Sequence, residues 1–130
     1  TVNTDDLSIG QYLEDALIHF DWVAPMVYPS HYPDGFRGYA NPAEYPYAIV
    51  YDAMKNAVRR AQNLGLSEDN LRTWVQDFNL GAYYDHKKIQ DQIRASYDAG
   101  VLSYMSWDPS NKYTRTAYIK DLTHTYNENE

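Results

Sequence analysis

The apolar residues of this chain change their spacing repeatedly, and that alternation constrains the fold more than any other feature. Ile9, Leu13, Ala16, Leu17 and Phe20 recur at helical intervals, with Asp5, Asp6 and Ser8 placed to cap them. Trp22 to Tyr28 is an apolar run of strand length. A loop dense in proline and glycine follows: Pro29, Pro33, Gly35, Gly38, Pro42 and Pro46. Val50, Ala53, Met54, Ala57, Val58 and Ala61 then mark an amphipathic helix that Gly65 is placed to stop. Leu71 to Phe78 reads as a second strand. Ile89, Ile93 and Tyr97 mark a narrower helix ended by Gly100, Val101 to Trp107 a third strand, and Thr114 to Tyr126 a last helix. The order α-β-α-β-α-β-α predicts an α/β fold of three parallel βα units with a preceding helix. Residues 1–130 read as a single domain with no linker.

Composition narrows the classes of function. Leu, Ile, Val and Phe supply only about a fifth of the residues, near the border of disorder, but aromatics reach 15% and argue for order. A core is therefore expected to draw on Tyr and Trp. A net charge of −7 disfavours a phosphate-tracking nucleic-acid binder. The absence of Cys excludes disulfides, thiolate metal sites and a Cys nucleophile. No apolar run reaches the roughly 18 residues of a membrane span. The chain opens on Thr1 rather than Met, which predicts a processed product or a portion of something longer. A complete (β/α)8 barrel needs about 250 residues, so as a barrel this chain is a part.

Polar residues gather where the strands end: Ser30 and His31, Gln76 and Asp77, Asp108 and Ser110. In parallel α/β folds reactive groups sit at that edge, although strand ends are also polar because they meet solvent. Tyr28, Tyr32 and His31 open the long loop and are placed to stack on a ligand or bond its hydroxyls, or equally to pack the loop onto its own domain. Trp107 would make a stacking floor, and Gln76 and Asn111 could bond hydroxyls. Asp108 opens Asp-Pro-Ser-Asn, which is also plain turn chemistry. Strand alternation points Gln76 and Asp77 to opposite faces, so both line one site only if Asp77 lies past the last pairing or at a bulge. Asp77 and Asp108 on neighbouring strands form a carboxylate pair of the kind glycoside hydrolysis uses. No nucleotide-binding, zinc-protease or serine-hydrolase motif is present, and His19, His31, His86 and His124 lack metal-ligand spacing. No metal or cofactor is expected.

Three stretches carry a resemblance: PMVYPSHY with the following G-YANPA-YPY, then W-QDFNLGA, then WDPSNKYT. Over roughly Asp5 to Ala117 the chain resembles the "putative glycosyl hydrolase domain" family of bacterial TIM-barrel proteins. That resemblance implies a partial (β/α)8 barrel in which these segments are the sixth to eighth strands. The earlier strands, including a fourth bearing an acidic F-D-Y-I-R-F-P-like segment, lie outside this chain. Where a relative more often shows P-W-L-Q-D-F, this chain has Thr73 and Val75. By analogy with barrel glycosidases the general acid is outside these residues, and Asp77 is the remaining carboxylate, as nucleophile or base. The resemblance also implies a carbohydrate ligand, completing strands from the parent chain or a partner, and a secreted or cell-envelope location. A non-catalytic carbohydrate-binding or envelope-assembly module, and a small open sheet that pairs with its own copies, are the alternatives. Pro25 sits inside the first strand and cannot donate to a ladder, which predicts a bulge or strained pairing there.

Overall fold

A computed structural model of the chain describes residues 10–118. Its helices are α1 (Leu13–His19), α2 (Pro46–Asn63) and α3 (His86–Asp98), and its strands β1 (Thr73–Gln76) and β2 (Tyr104–Trp107). The strands pair in parallel, Thr73 opposite Tyr104 through Gln76 opposite Trp107. The first expected strand is thinner than its sequence suggests. It pairs through two parallel bridges, Val23 to Leu71 just before β1 and Met26 to Trp74 within it. The residues expected to cap the first helix, Asp5, Asp6 and Ser8, and its first apolar position, Ile9, lie outside the described residues; α1 begins at Leu13. Of the expected last helix, only the single turn Arg115–Ala117 falls within them.

The bulge expected at Pro25 does not form. Val23 donates to Asn70 O and accepts from Arg72 N, Pro25 accepts from Trp74 N, and Val27 donates to Trp74 O. Both bridges keep the same register, so the ladder runs through and forfeits one bond, the one a Pro25 N–H would have made. A segment this short tolerates one missing donor more easily than a shift that would turn every side chain over.

The two long helices stop where their glycines predict. Gly65, at φ 74°, donates to Gln62 O while Leu66 donates to Ala61 O. Gly100, at φ 100°, donates to Tyr97 O while Val101 donates to Ser96 O. Each is a Schellman ending, which satisfies the last carbonyls and turns the chain toward the next strand. At the other ends, Pro46 occupies the first turn of α2, and Asp85 caps α3 by accepting from Lys88 N.

Both helices pack on one face of the sheet. The core there is Val27, Val50, Met54, Val58, Leu71 and Val101, with Ala53, Ala57 and Ala61 of α2 and Ala95 and Ala99 of α3. Alanines four residues apart let the two helices approach closely. The core therefore leans less on aromatics than expected: among the described residues only Tyr28 and Tyr84 of the aromatics are buried. The tryptophans lie instead on the opposite face. Alternation from the bridged pairs sets Trp22, Met26, Trp74, Met105 and Trp107 there, with Trp22 55% and Met26 71% exposed. The expected apolar position Tyr97 is exposed as well, and Gln92 and Ser96 occupy the inner stripe of α3 in its place.

Arg60, buried on α2, is held by both carboxylate oxygens of Glu14 on α1. The hydrogen bond from Arg60 lowers the Glu14 pKa from its ordinary 4.5, against a smaller opposing effect of burial. Because the folded value lies below the unfolded one, the pair stabilises the fold above about pH 4.5 and loses that contribution as pH falls through the folded value. Glu14→Gln is expected to cost about 1 kcal/mol at pH 7, Glu14 being partly solvated. The difference from the parent should shrink on acidification in urea melts taken from pH 7 to pH 3. A cost independent of pH would contradict the ion-pair origin.

Candidate functional site

The sheet loses its third strand just where the site begins. Gln76 offers its peptide N–H and C=O on the side of β1 that faces Val23 to Val27, but the next donor the ladder needs would come from residue 29, a proline. The chain leaves the sheet there and winds through the turn Pro29–His31. Gln92 of α3 substitutes for the missing strand: Gln76 N donates to Gln92 Oε1 at 2.8 Å, and Gln92 Nε2 donates to Gln76 O at 2.8 Å. Both groups are fully buried, so leaving either unpaired would cost about 1–3 kcal/mol.

The side chain of Gln76 points to the opposite face from Asp77, as alternation requires. Its Oε1 accepts from Ser30 N at 3.2 Å and Ser30 Oγ at 2.9 Å, and its Nε2 donates to Phe78 O at 2.9 Å. The Pro29–His31 turn is thereby clamped onto the end of β1. Tyr28, His31 and Phe78 close around it, with ring centroids 5.5 to 6.1 Å apart. Burial raises the Tyr28 phenol pKa. The expected residues Tyr28, His31 and Gln76 thus come together, while Gln76 spends its amide on holding the chain.

Asp77 still sits within the ladder, donating its N–H to Trp107 O, and its side chain is on the helix side. Both carboxylate oxygens are occupied: Thr114 N donates at 2.7 Å, Thr114 Oγ1 at 2.7 Å and Tyr118 Oη at 2.8 Å. With 4% exposure this carboxylate braces the segment after β2. Asp108 commits one oxygen, its Oδ2 accepting from both Ser110 N and Lys112 N; this is an Asx-type turn. Asn111 follows in that turn, exposed and at φ 56°. Between the two loops lies a pocket of about 420 Å³ lined by Asp77, Phe78, Asn79, Tyr83, Asp108 and Lys112 among others.

Trp107 stands apart on the open face, edge-on to Trp74 at 6.4 Å and 43% exposed. Tyr32 is not brought to the cluster. It packs on the helix core beside Phe36, and burial pushes its phenol up to about 12. Three contributors escaped sequence reasoning: Phe78, Gln92 and Tyr118. Gln92 carried a usable signal, since it occupies a core position between Ile89 and Ser96 on an amphipathic helix.

The long loop is fastened to the β1–α3 loop as a clasp. Asn41 Nδ2 donates to Gly81 O at 2.8 Å, Tyr84 Oη donates to Ala43 O at 2.8 Å, and Lys88 pairs with Glu44 at 3.3 Å. A side chain on Gly81 would meet Ala43 Cβ at 3.3 Å, so the two loops touch without room for one.

Asp77→Asn is expected to cost about 2–3 kcal/mol, because one oxygen facing buried donors becomes an NH2 group. Urea unfolding reads the cost, and proteolysis should cleave first within the segment after Trp107. Full stability in the variant would show that the brace contributes little.

No curated protein and no solved structure matches the chain. The residues that fasten the clasp, Asn41, Ala43 and Gly81, and those that shape the strand ends, Gln76 and Asp108, all fall within the match to one family model, which spans residues 1–113. The chain belongs to the family described as "Putative glycosyl hydrolase domain".

Proposed function

We propose that the chain forms one wall of a saccharide cleft in a glycoside hydrolase acting on a polysaccharide or oligosaccharide, as the last three strands of a (β/α)8 barrel. The observation that carries this is the arrangement of three parallel segments in chain order, with helices on one face and an uncovered Trp- and Met-rich face on the other. In a barrel that face is the interior. The remaining strands, from the parent chain or from a partner, would cover it. His31 and Trp107 at the C-terminal edge supply aromatic and hydrogen-bonding surface suited to sugar, with Tyr28 packed against His31 behind it. Tyr32 supports the loop from below. Gln76 and Asp77 act by positioning, Lys112 lines the neighbouring pocket, and Asn111 stands exposed in the adjoining turn. No metal or cofactor enters this reading, and a secreted or cell-envelope location follows from a polysaccharide substrate.

A specific observation favours a second reading, a non-catalytic carbohydrate-binding or envelope-assembly module. Asp77, one of the two carboxylates at the strand ends, spends both oxygens on the chain itself, and Asp108 spends its Oδ2 there. A hydrolase would then draw its reacting carboxylates from the completing strands.

Native mass measurement, with every polypeptide in the sample identified, comes first. That species is then incubated with neutral cello- and chito-oligosaccharides. Cleavage supports the hydrolase. Binding without cleavage, weakened roughly tenfold in Trp107→Ala for a lost stacking contact of about 1–1.5 kcal/mol, supports the binding module. Neither binding nor cleavage would remove the carbohydrate assignment.

A further inference from the structure

The hydrogen bonds around Ser30 determine which nitrogen of His31 carries the proton. Gln76 fixes the direction of the chain of bonds. Its Nε2 faces Phe78 O, which only accepts, and its Oε1 faces Ser30 N, which only donates. Rotating the amide by half a turn would set donor against donor and acceptor against acceptor, so the assignment is unique. Ser30 has one hydroxyl proton, and at 2.9 Å from Gln76 Oε1 it is committed there. Toward His31, whose Nδ1 lies 3.1 Å from Ser30 Oγ, the hydroxyl can therefore only accept. Nδ1 must carry a proton. In the neutral ring, Nε2 then keeps its lone pair.

We infer that Gln92, Gln76 and Ser30 form a positioning chain that locks His31 in the Nδ1–H tautomer, so that Nε2 serves as a hydrogen-bond acceptor for a ligand hydroxyl at the strand edge. Each link is anchored by the one before. Gln92 holds both the N–H and the C=O of Gln76, the Gln76 side chain holds Ser30 by two bonds, and Ser30 orients the ring. Tyr28 and Phe78 limit the swing of the imidazole, Phe78 lying perpendicular to it. His31 is itself exposed, and among the described residues no hydrogen bond of the chain engages Nε2. A ring whose one nitrogen is fixed by a neighbour presents the other with a defined role. The choice of a sugar hydroxyl as ligand rests on the carbohydrate reading; the tautomer does not.

Long-range 1H–15N correlation spectra of 15N-labelled protein, at a pH where imidazoles are neutral, read the tautomer of each His directly. His31 is expected to show a protonated Nδ1 and an unprotonated Nε2. Ser30→Ala should return the ring to the Nε2–H form, and Ser30→Thr, which keeps a hydroxyl, should restore Nδ1–H. The wild-type spectrum needs no variant to fold: an Nε2–H pattern there overturns the inference, as does an unchanged Nδ1–H pattern in folded Ser30→Ala. Addition of the same cello- and chito-oligosaccharides should move the Nε2 resonance. An Nδ1–H ring whose Nε2 stays unmoved in their presence would overturn the ligand role while leaving the tautomer assignment in place.

Discussion

A buried peptide group at the end of β1 must find a donor and an acceptor, and the local architecture follows from how it does so. The strand that would have paired with Gln76 ends in proline at residue 29 and cannot complete the rung. An unpaired amide in a dry interior costs more than a typical hydrogen bond contributes. The Gln92 carboxamide supplies both partners at 2.8 Å, and its planar amide reproduces what a neighbouring backbone would offer. Freed from the sheet, the chain can turn at Ser30 and lie across the strand end. The same substitution fixes the distance between α3 and β1, so the helix that fills the core also sets the geometry of the edge.

The two sides of β1 consequently have different duties. Thr73, Val75 and Asp77 face the helices and are fully or almost fully buried. Thr73 Oγ1 meets Ser96 Oγ at 2.6 Å, and Ser96 in turn bonds Val101 O at 3.0 Å, so the polar side chains that β1 itself turns to that side are paired. Trp74 and Gln76 face the other way, toward Ser30 and the tryptophans. Asp77 belongs to the architecture because alternation leaves it on the helix side, where it secures Thr114 and Tyr118. Desolvation of Tyr118, more than its bond to Asp77, raises that phenol's pKa, as suits a hydroxyl that donates and stays protonated.

Much of this was legible in the residues, and the failures have physical causes. Gly65 and Gly100 could be read as helix stops because a left-handed position after a helix nearly demands glycine. The three parallel segments could be read from their spacing. Pro25 was misjudged because a missing donor was equated with a distorted ladder, whereas a parallel ladder uses only every second N–H and can lose one without changing register. Pro29, four residues later, falls at the next such donor position but one; there the loss coincides with the turn and ends the pairing. Tyr32 was open in the sequence because tyrosine serves a ligand site and a loop anchor equally well, and only its packing against Phe36 and the helix core separates the two. Gln92 shows the converse: a polar residue on an apolar helical stripe announces an unpaired group opposite, but the sequence does not say which.

The motif residues divide along the same line. Asn41, Ala43, Gly81 and Tyr84 close the clasp between two loops, where their chemistry is consumed within the chain, and Asp108 gives its Oδ2 to its own turn. His31, Trp107, Tyr83, Asn111 and Lys112 stand exposed around the braced frame. The uncovered face is coupled to that frame. Burying an exposed Trp or Met contributes about 1.5–3 kcal/mol per side chain, so strands laid over Trp22, Met26 and Trp107 would stabilise the sheet substantially. Trp107 is the register partner of Gln76, and Gln76 holds Ser30. On the barrel reading, covering the face would therefore stiffen the very residue that orients His31, so that completing the barrel and ordering its edge would become one event.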